Sequence, residues 1–133
     1  MRQKPALTAS DCHRMMAAAK AKAADMHWAV TIAIVDESGA PLLLERLDGA
    51  TPFTARMAIA KAHTSAVMGQ PSRAFEERAK DRPGFLTAPI GGALVQGAIP
   101  VIVSGECVGA VGVSGVKSPE DEQVAQAGVD GLA

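Results

Sequence analysis

The chain has 133 residues and a mass of 13.6 kDa, which suits one domain and is too short for two of ordinary size. Hydrophobic residues make up 48% and predict a folded core, while a net charge of −1 argues against a nucleic-acid binder. Alanine occurs 26 times, against three Phe, one Trp and no Tyr. We therefore expect residues 1–133 to form a single domain in which small side chains let secondary-structure elements, or subunits, pack very closely.

Targeting signals and cysteine usage both favour the cytoplasm. Residues 1–10 lack the apolar segment of a signal peptide, and no run approaches the roughly 18 apolar residues of a membrane-spanning helix. Cys12 and Cys107 are far apart in sequence and are expected to be reduced and buried. No CxxC or HxxxH spacing occurs, so a structural zinc site is not expected.

Turn residues and hydrophobic spacing define the elements of the N-terminal half. Thr8 followed three residues later by Asp11 is typical of a helix start. Pro52 suits the first turn of a second helix, because its missing N–H costs no hydrogen bond there. The expected elements are a helix over about Ser10–Met26, a hairpin of strands at Ala29–Val35 and Ala40–Leu47, and a helix over Pro52–Met68.

The C-terminal half is expected to contain most of the sheet. Ser72 is predicted to cap a short helix over Arg73–Lys80, and the residues from Asp81 to Gly92 are expected to be irregular. Further strands are expected at Leu94–Gln96, Pro100–Ser104 and Cys107–Ser114, and a last helix from Ser118 to about Val129. This order predicts a mostly antiparallel sheet flanked by helices, and the lack of βαβαβ alternation argues against a Rossmann fold.

Two glycine-rich segments are candidates for anion sites. The segment Gly109–Gly115 lacks the Lys-Ser/Thr of a phosphate loop and lies within a strand pattern, so its glycines are interpreted as allowing close approach of another backbone. Gly91 and Gly92 follow the long loop, where tandem glycines either expose N–H groups to an anion or form a simple turn.

Positive charge and one histidine mark a candidate site around the second helix. Arg46, Arg56 and Lys61 offer donors for a carboxylate; the alternative is surface solvation with an Arg46–Asp48 pair. His63 is a candidate general base or haem ligand, although a lone helical histidine is more often an ordinary half-exposed residue. The same holds for the other two histidines, His13 and His27.

Taken together, six short motifs resemble the GlcG/HbpS family of haem-binding or haem-degrading domains, over roughly residues 8 to 130. Each motif alone is weak, but their order along the chain is specific. The matching segments are Ile34–Asp36 with Gly39, Arg46–Ala50, Ala58 with Lys61, Ala62 and Thr64, Gly97 with Pro100, Gly109–Gly115, and Asp121 with Ala125.

The resemblance implies an α/β (α+β) fold of profilin-like type, with a five-stranded antiparallel sheet, and even-numbered homo-oligomers. Members of the family bind haem or related tetrapyrroles, and others lie beside catabolic genes, including those for glycolate use. This chain departs from many relatives in having Ala98 after Gly97, in lacking the acidic Glu-x-x-Glu motif of secreted relatives, and in carrying His63 at a variable position.

The lead hypothesis is a cytoplasmic protein that binds haem in a pocket formed by the Arg46 turn, the 52–68 helix and the 81–92 loop. His63 would be the first candidate for the axial metal ligand, ahead of His27 and His13, with arginine and lysine side chains meeting the propionates. The residues expected to contact the ligand are His63, Arg46, Arg56, Lys61, Thr64, Phe53, Gly91 and Gly92.

Two alternatives use the same residues differently. In the first, the protein is a small enzyme acting on a carboxylate-bearing catabolic intermediate by hydrolysis, deamination or isomerisation. Arg46 and Lys61 would then hold the carboxylates, and His63 would transfer protons. In the second, the protein is a non-catalytic, oligomeric accessory module whose Ala- and Met-rich helix faces pack subunits together.

Overall fold

Four helices and four strands make up most of the chain in the computed structural model, which describes all 133 residues. A 3-10 helix at Pro83–Thr87 follows the third α-helix. The elements, in chain order, are α1 (Ala9–Met26), β1 (Thr31–Asp36), β2 (Pro41–Arg46), α2 (Pro52–Met68), α3 (Arg73–Asp81), β3 (Ala98–Val103), β4 (Glu106–Ser114) and α4 (Ser118–Asp130).

The sheet is fully antiparallel, with the strand order β2-β1-β4-β3. In the two central strands, Ile34 lies opposite Val111, and Leu43 of β2 lies on the other side of Ile34. Successive side chains of a strand point to opposite faces, so each strand contributes to two separate packing layers. The sheet therefore forms the middle of a three-layer α+β arrangement.

The larger core lies between the sheet and the helices α1 and α4. Ile32 and Ile34 of β1 point into this core, where Met15 and Val124 come from the two helices. These side chains are fully buried, and their removal from water stabilises the fold. The start of α1 is fixed as predicted, because Thr8 and Asp11 exchange the hydrogen bonds of a capping box.

The opposite face of the sheet packs against α2 through very small side chains. Val35 and Ala110 of the sheet meet Ala62 and Ala66 of the helix. A Cβ atom added to Gly112 would stand 2.7 Å from the Ala62 Cβ and closer still to a carbonyl oxygen of α2. The glycine-rich β4 therefore allows the close backbone approach predicted for it, and the abundant alanine is explained by this interface.

The predicted five-stranded sheet is wrong, because Leu94–Gln96 is not a strand. The backbone donors on this stretch bond elsewhere: Ala93 N donates to Ala60 O at 3.0 Å, and Gln96 N donates to a carboxylate oxygen of Glu76 at 3.0 Å. A chain segment that uses its N–H groups on a helix and a side chain cannot form a strand ladder.

Two smaller predictions in this region also need correction. Ser72 does not cap α3 with its side chain; its hydroxyl accepts a hydrogen bond from Ala98 N at 3.0 Å and so fixes the start of β3. The stretch from Asp81 to Gly92 is not wholly irregular, since it contains the end of α3 and the 3-10 helix. None of the helices combines the length and the apolar character needed to cross a membrane.

Candidate functional site

The helix α2 carries the predicted site residues on two opposite sides. Lys61 and His63 are two positions apart, which places them about 200° apart around the helix axis. Lys61 is buried and only 2% exposed, whereas His63 is half-buried on the outward side. The carboxylate anchor and the proton-transfer group of the enzyme hypothesis are therefore not brought together.

Lys61 is committed to contacts inside the protein. Its Nζ donates to Asp121 Oδ2 at 3.0 Å and to the carbonyl oxygen of Val113 at 3.1 Å. The two charged side chains are 3% and 2% exposed, so this is a fully buried ion pair. It connects α2 on one face of the sheet with the first turn of α4, which belongs to the other helical layer.

Asp121 is the partner that sequence reasoning did not identify as part of an ion pair. Its second oxygen accepts a hydrogen bond from Val116 N at 3.1 Å, so both oxygens have donors. Burial raises the pKa of the Asp121 carboxyl, and the nearby Lys61 ammonium and Val116 N–H only partly oppose this effect. The pair is structural, since neither group faces an open site.

His63 lies between two loops, each of which approaches one side of its ring. The Nε2 atom is 2.9 Å from the carbonyl oxygen of Ile90, a distance that suits a donated hydrogen bond from the Nε2–H tautomer. The Nδ1 side lies against Gly39, where an added Cβ would overlap the imidazole. Gly39 and Gly91 both have positive φ angles, of 86° and 82°, which suit glycine.

The segment after the 3-10 helix lies directly on α2. Thr64 Oγ1 donates to Ala93 O at 2.8 Å, and Thr64 itself is fully buried. A Cβ on Gly92 would stand 2.6 Å from Ala60 O, so this glycine is pressed against the helix. Thr64 and Gly92 therefore hold the loop in place, while Gly91 is exposed.

Arg46, Arg56 and Phe53 form the accessible part of the candidate site. All three are exposed, with Phe53 at 66%, and neither arginine takes part in any ion pair of the structure. Arg46 lies opposite Thr31, whose hydroxyl is 2.9 Å from that of Thr54 in the first turn of α2. Both guanidinium groups are therefore near the N-terminal half of α2, and the Arg46–Asp48 pair is not formed.

The one cavity found in the structure lies elsewhere. It has a volume of about 210 Å³ and is formed by the two ends of the chain with β3 and β4. Ligand pockets usually measure about 300–1,000 Å³, so this cleft is too small for a tetrapyrrole. The lining residues are Pro5, Ala6, Leu7, Asp11, Val103, Val108 and Leu132. The surface around Arg46 and Phe53 is open rather than a pocket.

The remaining candidates are separate from this surface. His13 and His27 are exposed on or just after α1, which packs on the other face of the sheet. Cys12 and Cys107 are free thiols, the first buried and the second half-buried. No group of three His, Cys, Asp or Glu side chains is placed to hold a metal ion.

The fold and the site define a small α+β protein with a cationic and partly aromatic surface near the N-terminal half of α2 and a half-buried histidine farther along the same helix. The family model described as Haem degrading protein HbpS-like matches residues 7–130, and the chain belongs to this family.

Relatives by sequence and by structure agree with this assignment. Protein GlcG of Escherichia coli K12 is 37% identical over 115 residues, which cover 86% of this chain and 85% of GlcG. A double mutant of Streptomyces reticuli HbpS superimposes with a TM-score of 0.92 at 31% identity, covering all of this chain and 91% of that one. A PduOC–haem complex has a TM-score of 0.86 at 22% identity, with 96% and 95% coverage, a likeness that shows the fold alone.

Proposed function

We propose that this protein binds haem or a related tetrapyrrole on the surface formed by Arg46, Phe53, Arg56 and His63. The observation that carries the proposal is the pair of unpaired, exposed guanidinium groups and the exposed aromatic ring near the N-terminal half of α2, the helix that also carries His63. The family description, which names haem degradation, supports the same ligand class. The PduOC–haem complex indicates that a protein with this fold can hold haem.

The residues on this surface match the chemistry of the ligand. Guanidinium groups bind carboxylates through two parallel hydrogen bonds, which suits propionate side chains. Phe53 offers a ring face for a flat macrocycle, and imidazole is a common ligand of haem iron. Arg56 and His63 share the outer side of α2 and are separated by about 10 Å along the helix axis. One macrocycle can therefore contact both ends of this surface.

Three of the residues first expected at the ligand have a different role in the proposal. Lys61 is buried in its ion pair, and Thr64 and Gly92 hold the loop against α2. The unpaired arginines therefore carry the propionate recognition alone. Bound to such a site, haem iron would supply redox and oxygen chemistry, while the chain supplies charge, orientation and one imidazole.

Titration of the protein with hemin tests the proposal. We expect a shift of the Soret band at micromolar protein, and a loss of affinity of about tenfold to a hundredfold in an R46A/R56A variant, because charge-assisted hydrogen bonds contribute about 1.5–3 kcal/mol. The matched control is R2A/R14A, which also removes two exposed arginines, whose ion-pair partners Glu106 and Asp11 lie outside α2. No Soret shift in the wild type, or equal losses in both double variants, would reject the proposed site.

The histidine variants separate iron ligation from binding of the macrocycle. We expect H63A to change the Soret spectrum while keeping part of the affinity, and H13A and H27A to leave the spectrum unchanged. Protoporphyrin IX without iron should bind the wild type and H63A alike, because it makes the same propionate and ring contacts. A spectrum altered only by H13A or H27A would place the ligand on α1 instead.

A further inference from the structure

His63 cannot ligate a metal in the conformation described above, because both of its ring nitrogens are covered. Nε2 is bonded to Ile90 O, and Nδ1 lies against Gly39. We propose that residues 86–91 form a lid that the His63–Ile90 hydrogen bond latches closed, and that metal ligation by His63 opens it. The part of this proposal that concerns metal ligation rests on the proposed function, whereas the hydrogen-bonded latch does not.

The loop on the Nδ1 side is firmly held and is not the moving part. One carboxylate oxygen of Asp36 accepts hydrogen bonds from Ser38 N at 2.9 Å, from Ser38 Oγ at 2.6 Å and from Ala40 N at 3.1 Å. Two backbone bonds, from Gly39 N to Asp36 O and from Asp36 N to Ala40 O, close the same turn. These donors lower the pKa of Asp36, with the Ser38 hydroxyl contributing most, so the network persists at neutral pH.

The lid, by contrast, has one hydrogen bond to the rest of the fold. The other bonds in this region are local, from Ala88 N to Phe85 O, from Ile90 N to Ala88 O and from Thr87 Oγ1 to the carbonyl oxygen of Gly84, three residues earlier in the 3-10 helix. Leu86 is 65% exposed and Ala88 and Ile90 are only half-buried, so no side chain of the lid belongs to the buried core. Breaking the His63–Ile90 bond therefore frees the lid from α2, and its amides are then protected only by short local turns that open more often once they are not held against the fold.

Fixed points on either side of the lid give it hinges. On the N-terminal side, the ring of Phe85 packs on Phe75 with centroids 6.1 Å apart, and Arg78 lies over both rings. On the C-terminal side, Ala93 is bonded to α2 through its N–H and its carbonyl oxygen. Gly91, which lies between the latch and this second anchor, can change its backbone angles with little strain.

Hydrogen–deuterium exchange of a peptide covering residues 83–93 tests the latch without any ligand. We expect exchange in H63A to be about fivefold to tenfold faster than in the wild type, as loss of one hydrogen bond of about 1–1.4 kcal/mol predicts. H63Q should stay near the wild-type rate, because its side-chain amide also carries an N–H donor. H13A is the matched control. Unchanged exchange in H63A would overturn the latch.

Adding hemin tests the second half of the proposal and distinguishes it from the proposed function. We expect hemin to accelerate exchange at residues 83–93 in the wild type, and iron-free protoporphyrin IX to leave it unchanged. A His63-dependent Soret shift without faster exchange would overturn lid opening while the proposed function stands. No hemin binding, together with faster exchange in ligand-free H63A, would reject the proposed function while the latch stands.

Discussion

Replacing Asp121 by asparagine should lower the free energy of unfolding by about 3–5 kcal/mol. The substitution keeps the shape of the side chain but leaves the Lys61 ammonium buried without a counter-charge, at a site that is 3% exposed. Domains of this size are stable by only about 5–15 kcal/mol in total, so the variant should unfold at a clearly lower denaturant concentration. Urea unfolding followed by circular dichroism measures the change.

The reciprocal variant, K61M, should show a characteristic pH dependence. Removing the ammonium leaves burial unopposed by the nearest positive charge, so the pKa of Asp121 rises further above its ordinary value. The native state then binds a proton more readily than the unfolded chain. The stability of K61M relative to the wild type should therefore increase as the pH is lowered from neutral toward about 4.

The double variant K61M/D121N completes a double-mutant cycle, and an ion pair on the surface provides its control. With both charges removed, the loss of stability should be smaller than the sum of the two single losses, because no unpaired charge remains buried. Lys20 and Glu45 form the matched control, since their charged atoms are 2.8 Å apart but both side chains are over 40% exposed. K20M/E45Q should cost less than about 1 kcal/mol. Similar costs at both pairs would contradict a special role for the buried one.

Replacing Gly112 by a larger residue should be the second most damaging change. The added Cβ would stand 2.7 Å from the backbone N of Ala62, as well as from its Cβ, so α2 must move away from the sheet. We expect a loss of about 1–3 kcal/mol for G112A and more for G112V. Gly112 has no positive φ angle, so the loss reports steric overlap rather than backbone strain.

Gly84 provides the control for this prediction. It lies in the 3-10 helix, has no heavy atom within 4 Å of an added Cβ, and likewise lacks a positive φ angle. G84A should change the stability by less than about 0.5 kcal/mol. A G112A variant as stable as G84A would show that α2 does not pack on β4 as closely as described.

Local sequence signals were enough to predict most of the elements. The predicted bounds of α2, Pro52–Met68, are those observed, because Pro52 and Gly69 mark its two ends. The first helix and its Thr8–Asp11 cap are confirmed for the same kind of reason, since these signals act within four residues. Leu94–Gln96 has the residue types of a strand, but the backbone donors at Ala93 and Gln96 bond to Ala60 and Glu76, which local signals do not reveal.

The site could be predicted only in part, because its geometry depends on contacts far apart in sequence. Lys61 and His63 are two positions apart, so helical geometry alone predicts that they lie on opposite sides of α2. Its partner Asp121 lies 60 positions away and could not be paired with it by spacing. The contact between His63 and Ile90 likewise forms only once the loop folds back over the helix.

The close fit between α2 and β4 also divides the helix into positions that can vary and positions that cannot. Its inner side tolerates only small residues such as Ala58 and Ala62, because the backbone of α2 lies directly against Gly112 of β4. Its outer side carries Phe53 and Arg56, which are exposed to solvent. Outer residues of this helix can therefore be exchanged with little cost to folding. A library restricted to these positions should yield mostly folded proteins.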